Sequence, residues 1–74
     1  MRRVDLRHLK GEFLVKMKQE IDRTHRDEVV VFLFEIGDFS AVESAINLVK
    51  ESECELMNSL KFNQVDWTII IKKV

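Results

Sequence analysis

The chain has 74 residues, 46% of them hydrophobic, and its 12 basic and 13 acidic side chains leave a formal net charge of −1. That length allows one domain, residues 1–74, with a small core and a thin stability margin. The composition excludes a disordered chain, the balanced charge argues against a dedicated nucleic-acid binder, and a single cysteine excludes an internal disulfide.

Arg3–Arg7 reads as a short strand, with Val4 and Leu6 facing one way and Asp5 and Arg7 the other. It passes with almost no loop into a helix from about Glu12 to Arg23. There Phe13, Leu14, Met17 and Ile21 recur at helical spacing, and Lys16, Gln19, Glu20 and Arg23 fill the opposite side. Glu12, in the first turn, suits the positive end of the helix dipole. After the polar break Thr24–Asp27, the run Glu28–Ile36 is β-branched and aromatic and too short for a buried helix. It reads as a central strand, apolar on both faces.

Gly37-Asp38-Phe39 is a turn. Ser40-Ala41-Val42-Glu43 has the pattern of a capping box, with Ser40 as the cap, opening a helix that runs to about Glu51. Its buried stripe is Val42, Ala45, Ile46 and Val49. Cys54–Phe62 alternates imperfectly, with Cys54, Leu56, Leu60 and Phe62 on one face and Glu55, Ser59 and Lys61 on the other. Asn63-Gln64 makes a tight turn. Val65, Trp67, Ile69 and Ile71 then alternate with Asp66, Thr68, Ile70 and Lys72, completing an antiparallel hairpin.

The element order is β-α-β-α-β-β. Right-handed crossovers place both helices on one face of the sheet. The predicted fold is an α/β (α+β) two-layer sandwich with a four-stranded mixed sheet and one bare sheet face. If Val30, Phe32, Phe34 and Ile36 meet the helices, Val31 and Leu33 point outward and Ile70 joins them. Such a patch is expected to receive a second copy of the protein or a protein partner.

The stretch Val4-Asp5-Leu6-Arg7-His8-Leu9-Lys10-Gly11-Glu12-Phe13-Leu14 resembles the opening of the TusA/SirA family of small sulfur carriers. In that family a strand and a D-x-R-G-L-like turn lead to a C-P-x-P motif at the start of the first helix. Gly37-Asp38-Phe39-Ser40 falls where the family has a D-D-P turn, and Val65–Lys73 resembles its closing strand with a basic pair. The resemblance implies a single domain of this kind over residues 1–74. It also implies sulfur transfer through a persulfide on the motif cysteine, a thiol activated by the helix N-terminus. Here Gly11 stands at that cysteine, Glu12 and Leu14 at the two prolines, and His8 at the usual glycine. Gly11 cannot carry sulfur, so no catalytic residue is assigned. Cys54 opens the third strand, at the other end of the sheet, and reads as a buried thiol.

Other candidate sites are few. His8, His25 and Cys54 match no zinc spacing, so neither metal nor cofactor is expected. Arg2, Arg3, Arg7, Lys10, Lys16 and Lys18 make the N-terminal third basic. Arg7, His8 and Lys10, with Phe13 and Phe39 flanking the motif position, form a candidate contact for an anion or a protein partner. The fold also resembles that of the C-terminal domain of a translation initiation factor. No Ser-His-Asp set, acid/base carboxylate pair or phosphate loop is visible.

No apolar run approaches the roughly 20 residues of a membrane helix. The charges within Val4–Lys10 exclude a signal peptide after Met1-Arg2-Arg3, and a lone thiol fits a reducing cytoplasm. The expected function is a non-catalytic TusA/SirA-like cytoplasmic binding or regulatory module beside sulfur-relay or redox proteins. The alternatives are an active sulfur carrier using Cys54 or a partner's cysteine, and a small RNA-binding domain using the basic third.

Overall fold

The computed structural model describes residues 1–37 and 39–74, with Lys10 described by its backbone alone. The elements are β1 (Arg2–Asp5), a 3-10 segment (Arg7–Glu12), α1 (Phe13–Asp22), β2 (Val29–Glu35), α2 (Phe39–Glu51), β3 (Cys54–Lys61) and β4 (Asp66–Lys73). They form the predicted two-layer sandwich, with the four strands in the order β1-β2-β4-β3. β1 runs parallel to β2, and β4 is antiparallel to both β2 and β3. The β2–α2–β3 crossover therefore steps over β4. The two central strands, β2 and β4, are the two most buried.

One face of the sheet carries the core. α1 presents Phe13, Met17 and Ile21, and α2 presents Val42, Ala45 and Val49. These meet Leu6, Val30, Phe32, Phe34, Ile69 and Ile71 in one cluster. Leu14 and Ile46 belong to the same helical stripes but pack at the cluster's margin. The Phe13 and Phe34 rings stack with centroids 4.4 Å apart. Burying each large apolar side chain here stabilises the fold by roughly 1.5–3 kcal/mol.

Three local departures from the predicted elements have identifiable causes. First, the passage from β1 to α1 is not direct: a six-residue 3-10 segment fills it. Runs of that length are uncommon. Residues three apart eclipse in this geometry, so buried Leu6 and half-buried Leu9 both face the core, and the Leu9 N–H donates to the Leu6 carbonyl at 3.1 Å. Glu12 then precedes α1 and makes no side-chain cap bond. Second, α2 already begins at Phe39, so Ser40 lies inside the helix and not at its cap. The Asp38 position of the predicted turn lies outside the described residues.

Third, β3 contains a bulge. Leu56 pairs with Ile71, but Asn58 pairs with Ile70, which leaves Met57 as an extra residue. The bulge reverses the alternation. Cys54 and Leu56 keep to the core side, whereas Leu60 joins the row of Thr68 and Leu33 on the outer face. The predicted single face for Cys54, Leu56, Leu60 and Phe62 is corrected accordingly.

Two backbone positions test this local reading. Gly37 has φ +64° and Glu53, just past α2, has φ 55°. Left-handed backbone costs an L-residue about 1–2 kcal/mol. Urea unfolding of Gly37→Ala should show a loss of about that size, and Glu53→Gly a gain of about 1 kcal/mol.

Candidate functional site: the crevice at the mouth of the two crossovers

The parallel strands β1 and β2 both end at the same edge of the sheet, and each leads there into a helix. Crevices outside the carboxyl ends of such strands are the usual ligand sites of α/β sheets. Here the crevice holds about 340 Å³ between the start of α1, the end of β2 and the first turns of α2. Gly11, Phe13 and Leu14 line one side, Ser40, Ala41 and Ser44 the other, and Glu35, Ile36 and Gly37 close the end.

The structure thus brings two of the three motif positions, Gly11 and Leu14, to one crevice, while Glu12 is exposed outside its lining. A Cβ built on Gly11 meets nothing within 4 Å, so the position is open. Phe13 is almost wholly buried in the stack on Phe34 and supplies the floor. Phe39 turns away from the crevice. It is 61% exposed, and its ring meets Trp67 edge-on at 6.1 Å. The Trp67 indole N–H in turn donates to Ser59 Oγ at 2.8 Å. The crevice therefore offers hydroxyls, one carboxylate and an apolar floor. It can hold a ligand or a partner's side chain, and it presents no thiol.

Arg7 is not available as an anion contact. Its guanidinium pairs with Asp5 at 2.7 Å and with Asp66 at 3.3 Å. The Arg7 backbone N–H also donates to Asp5 Oδ1 at 3.0 Å. These bonds from Arg7, assisted by its charge, hold the Asp5 carboxyl well below its usual 3.8, at about 2. Reciprocally, hydrogen bonds to Asp5 and then Asp66 push the Arg7 guanidinium up. Asp66 sits opposite Glu35 across β2 and β4. Facing carboxylates repel, and Arg7, with the Asn63 amide donating to Asp66 Oδ2 at 2.9 Å, offsets that repulsion. The polar side of the strand–turn motif is thus a structural clamp from the end of β1 to the start of β4. Spacing along the chain does not single out Asp66; its one signal is a carboxylate at the head of an apolar strand.

The remaining candidates are scattered. His8 and His25 are exposed, and the Lys10 side chain lies outside the described residues. The basic third is largely neutralised. Arg2 pairs with Glu20 at 3.7 Å, Lys16 with Glu20 at 3.5 Å, and Lys18 with Asp22 at 3.2 Å. Among the described residues, no three His, Cys, Asp or Glu side chains gather as a metal site. Cys54 pairs with Lys73, at the opposite end of β4 from Thr68, which shares a row with Asp5. That separation is about 17 Å at ~3.4 Å per residue. Burial pushes the Cys54 thiol up, against the pull of Lys73, and the thiol donates to the Ser52 carbonyl at 3.5 Å. The expected dimer face is not a bare patch either. Leu33 is only 1% exposed, and Val31 and Ile70 are half-buried.

Two outcomes follow. Gly11→Ala should raise stability by about 0.4–1 kcal/mol in urea unfolding, because the site is open and its backbone is not left-handed. The depressed Asp5 carboxyl contributes stability that is fully present above its unfolded value of 3.8 and is lost as pH falls towards about 2. Stability measured from pH 5 downward should decline over that window, with a shallower decline in Asp5→Asn.

Comparison with known proteins overturns the sulfur-carrier resemblance. Residues 1–73 match the model of a family described as the E subunit of a "putative NADH-ubiquinone oxidoreductase". No curated protein matches this sequence. The solution structure of HP1264 from Helicobacter pylori is 40% identical, with a TM-score of 0.68, over 99% of this chain and 97% of that one. The features shared with TusA/SirA proteins were a strand, a turn and an order of elements, which any sandwich of this topology needs. The residue that would carry their chemistry was missing. The protein belongs to the NADH-ubiquinone oxidoreductase E-subunit family represented by that model, and it is not a TusA/SirA sulfur carrier.

Proposed function

We propose that this protein is a small docking subunit of an NADH–quinone oxidoreductase assembly, with no redox centre held by its own side chains. The family match over residues 1–73 carries this reading. The donor set supports the second half. Moving electrons from a nicotinamide to a quinone calls for flavin or iron–sulfur carriers, and a cluster held by four thiolates needs four cysteines. This sequence has one, half-buried, with its thiol shifted away from the thiolate form. An iron–sulfur cluster therefore does not fit these residues, and no step is routed through one.

No described helix is long and apolar enough to cross a membrane. In this reading the protein sits on the water-exposed, cytoplasmic arm of the assembly, and the partner is a redox protein. The crevice at the mouth of the crossovers is the docking point. It is concave and partly apolar, and Gly11 leaves its entrance open.

The test is a tagged copy in the source cell, followed through detergent extraction and native electrophoresis with a stain for NADH oxidation. The tag should migrate with the active band, and Gly11→Arg, which places a bulky cation at the crevice entrance, should release it without unfolding the protein. A tag that migrates only as free protein, with the active band unaffected by its deletion, would refute the reading.

A further inference from the structure

The outer surface of the helical layer carries a groove between α1 and α2, with a volume of about 580 Å³. Leu14 and Leu48 pack on the core and form its apolar base, while Val15 is 66% exposed at its edge. Gln19, Asn47 and Glu51 add polar groups along the two walls. Leu14 and Ser44 also line the crevice, so the groove opens into it. Along α2 the joined hollow runs from Ser40 to Glu51, about 17 Å at ~1.5 Å per residue. An exposed valine beside two half-buried leucines, rimmed by polar side chains, has the make-up of a protein contact.

The walls restrict what can lie there. Both are α-helices, whose interior backbone groups are already paired within the helix. An extended segment laid between them would find no N–H or C=O partner for its own backbone. A helix satisfies its backbone internally. The i±4 rows Leu14-Lys18-Asp22 and Ser44-Leu48 bound a channel that accepts the ridge of a third helix. Charge marks one end of this channel. β1 and β3 both run parallel to β2, so α1 and α2 point the same way and end together at Asp22 and Glu51. Lys18 pairs with Asp22 at 3.2 Å and Arg23 turns to Glu20 at 3.5 Å, but Glu51 makes no ion pair among the described residues. Lys50, the basic residue of that last turn, lies outside the groove lining. The partial negative charge of two helix C-termini adds to the Glu51 carboxylate, and this end of the groove complements a cation.

Given the docking proposed above, on which this rests, we infer that the groove seats an amphipathic helix of the redox partner. That helix is about three turns long, to match the hollow. It sets apolar side chains at i, i+3 or i+4, and i+7 against Leu14, Val15 and Leu48. It carries a lysine or arginine opposite Glu51, and its other end reaches the crevice.

Photo-cross-linking in the source cell tests this. A photoreactive residue is placed at Val15 or at Asp22, and mass spectrometry locates the attachment point of each. Both positions are exposed, and they lie about 10 Å apart along α1. A helical occupant should give attachment points about seven residues apart in one segment of the partner, and an extended occupant only about three. Val15→Glu should lower the share of protein in the NADH-oxidising band of native gels about tenfold. It should leave the urea midpoint unmoved, because Val15 is exposed. Glu51→Lys should lower that share too, and changing the partner's facing basic residue to glutamate should restore it. Attachment points about three residues apart, attachment to a second copy of this chain or to no partner, or full retention of either variant in the band would overturn the helix while leaving the association with the assembly intact. Wild-type protein absent from the band would refute the association, and the helix with it.

Discussion

A single apolar layer holds this protein together. Both helices lie on one side of a four-stranded sheet, so the buried contacts between layers pass through Leu6, Val30, Phe32, Phe34, Ile69 and Ile71 and the helical stripes above them. Within that layer the stacked Phe13 and Phe34 rings join the first helix to a central strand close to the crevice. A domain of this size has little stability to spare. Removing one of these rings would cost about 3–5 kcal/mol, a large share of the whole. The uncommon 3-10 passage follows from the same demand, because it turns Leu6 and Leu9 towards the layer before the helix begins.

The other sheet face has no helix to cover it and is managed by side chains within the sheet. Arg7 sits between Asp5 and Asp66, which relieves the repulsion of Asp66 and Glu35 and ties an edge strand to a central one. Next to this clamp, Leu33 is shielded from water by its neighbours on the sheet and not by a second layer. The bulge at Met57 sends Leu60 and Phe62 to this side, so the edge strand contributes to the outer face beyond its bend and to the core before it. The two faces therefore offer different chemistry. The crevice above the core combines hydroxyls and one carboxylate with an apolar floor. The outer cavity, lined by Arg3, Val31, Leu33, Phe62 and Thr68, is mostly apolar.

The first strand and turn were misleading because their polar residues have a structural task. In Asp5-Leu6-Arg7 the arginine binds both Asp5 and Asp66, and the leucine enters the core. That pattern arises wherever a strand end must be pinned before a helix, so it carries little information about chemistry. Family membership rests on similarity along residues 1–73 and not on that short stretch. The proposed association with a redox assembly rests on that similarity, and this sequence's one cysteine could not itself encircle a cluster.

Periodicity and crossover handedness determined the order of the strands and α-helices, the stripes Phe13-Leu14-Met17-Ile21 and Val42-Ala45-Ile46-Val49, whose Leu14 and Ile46 lie at the margin, and the placement of both helices on one face. Those features depend on spacing along the sequence and on the handedness of crossovers, which are local or nearly so. The tertiary structure decided the insertion of β4 between β2 and β3, the bulge that turned Leu60 outward, the pairing of Arg7 with a carboxylate 59 positions away, and the cavity beside Thr68. Each of these depends on which strands lie side by side and in what register. Long-range pairing sets that register, and alternation within any one strand is compatible with several.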